Sequence, residues 1–304
     1  MTVSQWINYV SKRLKSAELF YGHGTDNPGD EAVWLVLHAA GAVLDGSFQA
    51  WDLALNPDQE TRVLKNLSAR IDSGIPLAYI VGSAWFAGLE FEVDSSVLVP
   101  RSPIAELILE HFDSWIKGSA DETVLDMCTG SGCIGIATAV YMPQVKVDAV
   151  DISHAALAVA RKNIHRHGVE ARVTLYQSDL FTELAGKSYD LIVANPPYVA
   201  SSALQHLPAE YRAEPELGLV SGTDGLDACL RIMLQSPDYM KVNGTLICEV
   251  GESEQRLADL LPQVPFLWLE FSHGGSGVFV LSRQELMLSS AAVLKVVEER
   301  KNVT

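Results

Sequence analysis

Cysteine is scarce in this chain: only Cys128, Cys133, Cys229 and Cys248 occur among 304 residues, and none forms a CxxC pair. No pair of histidines stands near them to complete a zinc set, so no metal site is expected and the thiols read as reduced and buried. Positive charge is also short, with 22 Lys and Arg against 38 Asp and Glu and a net charge of −16. A surface of that sign repels phosphate backbones unless it hides a basic stripe, which counts against DNA and is compatible with a basic protein partner. The densest basic run, "RKNIHRHG" at 161–168, reads as the last turn of a helix ahead of a capping glycine. Long apolar runs are missing too. The longest, "AVWLVLHAAGAVL" from Ala32 to Leu44, holds 13 residues and a histidine, short of the roughly 20 a membrane helix needs. It is expected as a buried helix. The start, "MTVSQWINYVSKRLKS", has no basic head followed by a continuous apolar stretch, so no secretory signal is read and the cytoplasm is the expected compartment. Neither an internal repeat nor a low-complexity segment is present.

What the chain does have is 48% hydrophobic residues and 20% charged ones, at a length that favours roughly two domains with a large core. From Val3 to Ile75 apolar residues recur at helical spacing, as in Val3, Ile7, Val10, Leu14 and again Val63, Leu67, Ile71. A helical domain over 1–80 is expected, with Trp6, Trp34 and Trp51 in its core. Next, "AWFAGLEFEVDSSVLVPRSP" predicts a hairpin linker over 81–101, with strands at Trp85–Val93 and Val97–Val99 around the "DSS" turn. Beyond it strands and helices alternate: "TVLDMC", a helix from Gly132, "VKVDAVDI", a helix over 155–167, "RVTLYQSDL" and "YDLIVA". Later come a helix at 226–234, "GTLICEV", a helix at 252–261, and the pair "FLWLEFS" and "GVFVLSR". That order predicts an α/β domain over 102–286 with a doubly wound parallel sheet closed by an antiparallel strand. The tail, 287–304, reads as a short amphipathic helix or a frayed end.

The chemistry begins in "VLDMCTGSGCIG". Gly130, Gly132 and Gly135 match GxGxxG between strand and helix, and Asp151 ends the next strand 19 residues after Gly132. Glycine permits close approach of the backbone to a ligand, and the carboxylate can accept from ribose hydroxyls. Any adenosine-containing cofactor, dinucleotides included, fits that much. Asp126, under the loop, favours a cationic amino-acid cofactor over pyrophosphate. Asp179, closing the third strand, can accept from an adenine amine; a helix cap is the other reading of it. The "DLIVANPPY" stretch then runs a buried strand into Asn195, Pro196, Pro197 and Tyr198, at the end of the sheet where such folds place ligands. The Asn195 carboxamide and the Pro196 carbonyl are acceptors for a planar nitrogen, Pro197 stiffens the loop, and the Tyr198 ring can lie against a flat group.

The order of these motifs over 123–283 resembles the seven-stranded, Rossmann-like class I methyltransferases, and NPPY is similar to the signature of those acting on a nitrogen conjugated to a planar system. With "VLVPRSPIAELI" before the core and "LPAEYRAEPELGLVSGTDGLD" after NPPY, the chain resembles the protein-glutamine methyltransferases. Within them it resembles the branch that modifies a glutamine of the third large-subunit ribosomal protein. The sibling branch acting on release factors carries a "PRPDTE"-like segment where this chain reads "PRSPIAE". The resemblance implies S-adenosylmethionine as cofactor, with Asp126, Cys128, Thr129, Gly130, Ser131, Gly132, Asp151, Asp179, Leu180 and Asn195 in its site. It implies Asn195 to Tyr198 at the target amide. Arg101 and Glu106 would border the active site; a pair between them holding the hairpin to the core is the other reading. His206 and His273, near the expected mouth, are not taken as bases. The partner implied is a basic ribosomal protein, with no DNA and no membrane; a release-factor glutamine methyltransferase, a DNA amine methyltransferase, a nucleotide-linked oxidoreductase and a non-catalytic assembly factor are the competing functions.

Overall fold

A computed structural model describes residues 1–42 and 46–301. Four helices build the amino-terminal part: α1 (Val3–Lys15), α2 (Pro28–Ala40), α3 (Pro57–Ser73) and α4 (Leu77–Val81). Their starts are written in the sequence. Thr2 with Gln5 and Asn56 with Gln59 form reciprocal capping boxes, and Pro57 and Pro28 occupy first-turn positions where a missing N–H costs nothing. The apolar stripe of α1 (Val3, Trp6, Val10, Leu14) is buried with Trp34, Leu35, Val63 and Leu67 in one cluster. Trp51 corrects the expectation for three core tryptophans. It is 39% exposed and meets Phe48 edge-on at 4.9 Å, because it lies in a loop rather than on a helix face. The end of the expected buried helix, 43–44, lies outside the described residues, as do the last residues of the tail, 302–304.

The hairpin is β1 (Ser83–Phe86) paired with β2 (Leu89–Glu92), and this corrects the expected turn. The chain reverses at Ala87 and Gly88, both at positive φ (48° and 75°), the geometry of a two-residue turn that matches strand twist; "DSS" follows the second strand, and 97–99 forms no strand. Buried Asn163 fastens the hairpin to the core, accepting from Glu92 N at 2.7 Å and donating to Glu92 O and Ser131 O, each at 2.9 Å.

The remaining elements are α5 (Ile104–Leu109), β3 (Thr123–Met127), α6 (Cys133–Tyr141), β4 (Lys146–Asp151), α7 (His154–Arg166), β5 (Val173–Gln177), β6 (Tyr189–Ala194), α8 (Glu216–Leu219), α9 (Asp227–Gln235), β7 (Met240–Glu249), α10 (Glu254–Leu260), β8 (Leu267–Trp268), β9 (Val278–Ser282) and α11 (Arg283–Lys301). Seven strands lie in the order β5-β4-β3-β6-β7-β9-β8, parallel from β5 to β7, with β9 antiparallel between β7 and β8. Leu191, Ile192, Val193 and Ala194 of β6 are fully buried, as expected for a strand covered on both faces. Helix α11 begins inside the expected core segment and packs Leu286, Val293 and Val297 into the main cluster. No helix among the described residues is long and apolar enough to cross a membrane.

Candidate active site

Chain order runs outward from β3 through β4 to β5, then returns to the other side of β3 at β6. The carboxyl ends of β3 and β6 therefore border the switch point where open α/β sheets bind ligands. A cavity of about 770 Å³ opens there, lined by the glycine loop, by NPPY and by the strand-end residues Asp151 and Glu249.

Cys128, Thr129, Gly130, Ser131, Asp151, Asp179, Leu180 and Asn195 all line it. The loop is tied to β4: Thr129 N donates to Val150 O at 2.8 Å, and Gly130 N donates to Asp151 Oδ2 at 2.9 Å. Asp151 Oδ1 accepts from Ser153 N at 2.8 Å, and burial, opposed by these amides, leaves its carboxyl above the usual range. Gly132 caps α6 behind the wall, donating to Thr129 O at 2.8 Å. Burial raises the Cys128 thiol, so it stays neutral and is no nucleophile. Asp179 pairs with Arg231 at 2.8 Å on the rim.

Asp126 lies under the loop, the position expected of it. It is fully buried beneath the loop rather than on the cavity wall; its Oδ2 accepts from the Thr129 hydroxyl and from Gly135 N, while Oδ1 has no partner among the described residues. Burial lifts its carboxyl to about 6 against the pull of those two hydrogen bonds. It braces the loop from behind, because β3 turns its side chain toward α6.

In NPPY, neither the Asn195 carboxamide nor the Pro196 carbonyl has a hydrogen-bond partner among the described residues, although both residues line the cavity. Both groups are left without an internal partner in residues that border the cavity. Tyr198 is held differently. Its hydroxyl donates to Glu249 Oε1 at 3.0 Å and its carbonyl accepts from Ser253 Oγ at 3.3 Å. Two glycines admit it: a Cβ on Gly251 would lie 2.7 Å from Tyr198 Cε2, and one on Gly225 would lie 2.1 Å from its carbonyl oxygen.

Arg101 lines the same cavity, but its partner is Glu214 rather than Glu106, by two bonds of 2.7 and 2.5 Å, and it lies 5.2 Å over the Tyr211 ring. Glu214 also accepts from Val99 N at 3.0 Å and has His23 Nε2 at 3.4 Å. Burial opposes its charge, yet His23 and Arg101 hold the carboxyl down at about 2. Glu106 stays off the cavity wall and accepts from Ser272 N and His273 N at 2.9 and 2.8 Å. The segment between Glu210 and Glu214 is thus stitched to the helical part, where buried Arg70 reaches Glu31 at 2.6 Å and Glu210 at 3.1 Å. His206 and His273 are exposed and off the wall. Sequence reading missed Ser102, Tyr211, Glu214 and Glu249. Only Glu249 left a signal, as the single charge inside the apolar run "GTLICEV".

Fold and site together define a class I methyltransferase, and residues 103–210 match the methyltransferase small domain family. A ribosomal protein uL3 glutamine methyltransferase of Xanthomonas campestris pv. campestris is 47% identical over 299 residues, covering 98% of this chain and 97% of that protein. One of the same name from Xylella fastidiosa is 45% identical over 302 residues, covering 98% and 96%. The chain belongs to this family of glutamine methyltransferases. Among solved structures, the hMettl16 catalytic domain in complex with MAT2A 3'UTR hairpin 6 superposes with a TM-score of 0.52 at 17% identity, over 74% of this chain and 81% of that one, a likeness of fold alone.

Proposed function

We propose that this chain transfers a methyl group from S-adenosylmethionine to the side-chain amide nitrogen of a glutamine in the third large-subunit ribosomal protein. The observation that carries the reading is the pair of unpartnered acceptors at Asn195 and Pro196 beside the glycine loop. An amide nitrogen is a poor nucleophile because its lone pair is delocalised. Asn195 Oδ1 and the Pro196 carbonyl, each gripping one N–H, favour a geometry in which that pair points at the methyl donor. Holding the reacting atoms about 3 to 3.5 Å apart is the larger share of the work; no strong base is needed, because the amide that has gained the methyl is acidic and gives its surplus N–H proton to water.

The residues present fit the cofactor. Asp151 offers its carboxylate to the ribose, and the cavity is lined by Asp151, Asp179 and Glu249. No lysine or arginine occurs between Asp126 and Gly135 to hold a diphosphate. When bound, S-adenosylmethionine supplies an electrophilic methyl group on a cationic sulfur; the wall also carries the arginines Arg101, Arg231 and Arg256, and of those three carboxylates Asp151 and Glu249 have no arginine partner among the described residues. The names of the two relatives support the choice of substrate, and the net charge of −16 suits a basic ribosomal protein.

Incubation with methyl-labelled cofactor and, separately, unmodified ribosomal protein uL3, release factors and DNA tests the reading. Label on uL3 supports it. Label on DNA or on release factors alone overturns the substrate assignment, and calorimetric binding of NAD in place of S-adenosylmethionine overturns the cofactor.

A further inference from the structure

Glu249 is the last residue of β7 and is 3% exposed. Its Oε2 accepts from Ser102 Oγ at 2.5 Å and its Oε1 from the Tyr198 hydroxyl at 3.0 Å. No Lys, Arg or His lies within ion-pair distance among the described residues, whereas buried Glu214, Glu210 and Glu31 each have an arginine. A carboxyl buried without a cation is costly, and such groups persist where a site requires them. The two hydroxyls come from different loops that line the cavity. Ser102 belongs to the "PRSP" loop, where it also accepts from Ile104 N at 3.2 Å, and Tyr198 ends NPPY.

We propose that Glu249 is a positioning residue for methyl transfer: by accepting from Ser102 and Tyr198 at once, it sets the gap between the two loops and the orientation of the Tyr198 ring against the target amide. This rests on the methyltransferase reading of the site. The carboxylate, with no proton of its own, is the form that accepts from both hydroxyls simultaneously. Burial raises Glu249 to about 7, against the hydrogen bonds from Ser102 and Tyr198 and the charge of Arg101. Cys248, buried beside it on β7, is raised well above the ordinary range by burial first, with Cys229, Cys128 and the Glu249 charge adding to it. The carboxylate that completes the clamp is half-populated near pH 7, gains as pH rises above it and is lost as pH falls below it, so turnover rises through that pH.

Glu249→Gln keeps the shape but replaces one acceptor with a donor. The expected result is a fall in kcat of about 10²-fold, as a displacement of about 1 Å at the reacting centre produces. S-adenosylmethionine affinity by calorimetry stays within about twofold, and the pH dependence near 7 disappears. Ser102→Ala and Tyr198→Phe each remove one arm; combining Tyr198→Phe with Glu249→Gln costs no more than the worse single change, since both break one contact. Wild-type kcat and an unchanged pH profile in Glu249→Gln overturn the proposal. So does loss of cofactor binding in parallel with turnover, or full additivity in the double variant. Failure of the methyltransferase reading itself looks different: the unaltered chain then methylates no substrate.

Discussion

Asp151 Oδ2 lies 2.9 Å from the Gly130 amide, so the carboxylate we propose for the cofactor's ribose is also the anchor of the glycine loop. The two roles are inseparable in Asp151→Ala, which removes the loop's tie and the ribose acceptor together. Cofactor affinity falls about 10- to 100-fold, from the loss of one charge-assisted hydrogen bond worth about 1.5–3 kcal/mol. Asp151→Asn, which keeps one acceptor oxygen, loses less. Calorimetry on both variants checks the order.

Asn195→Ala removes an acceptor that nothing else in the described structure uses. Turnover drops about 10²- to 10³-fold, the usual consequence of deleting one preorganised polar group at the reacting centre. Thermal stability and cofactor affinity hold nearly constant, because no structural hydrogen bond is lost. Single-turnover methyl transfer with cofactor titration alongside reads both.

Glu214 gives a pH signature. Its carboxyl sits at about 2 in the fold against an ordinary 4.5, so the unfolded chain takes up its proton first as pH falls. Its contribution is fully present above 4.5 and is lost between there and about 2. Glu214→Gln strands Arg101 and destabilises the protein at neutral pH by about 3–5 kcal/mol, the cost of breaking a buried pair. Denaturant unfolding of both proteins then shows the gap closing as pH falls through that window.

Gly251→Ala forces a methyl to within 2.7 Å of the Tyr198 ring at a φ of 49°. Stability falls by about 1–3 kcal/mol from overpacking, and kcat falls with the displaced ring. Gly186→Ala is the control. That residue also has positive φ, at 78°, but a Cβ there meets nothing within 4 Å, so activity is retained.

The sheet was legible because parallel strands buried on both faces are written as apolar runs: "VLDM", "LIVA" and "LICE" each stand where a strand is found. The glycine loop, Asp151 and NPPY could be read because strand-end chemistry is local in sequence. The hairpin was misplaced because alanine carries no turn signal, and Ala87 takes its left-handed conformation only with Gly88 beside it. Arg101 was singled out without its true partner, since Glu214 is 113 residues away and only folding brings it within 2.5 Å. Asp126 lies under the loop as the sequence suggests, but that it faces Thr129 and Gly135 rather than the cavity depends on which way β3 turns its side chain. Trp51 was sent to the core on residue type alone.

Peptide mass spectrometry of ribosomal protein uL3 from an unmodified source, after incubation with this enzyme and S-adenosylmethionine, is the most direct measurement. One added methyl group on the side-chain nitrogen of a single glutamine, absent when Asn195→Ala replaces the enzyme, is the result expected. A methyl group on a lysine, an arginine or a backbone nitrogen, or one transferred equally well by Asn195→Ala, would contradict the account of how the unpartnered acceptors work.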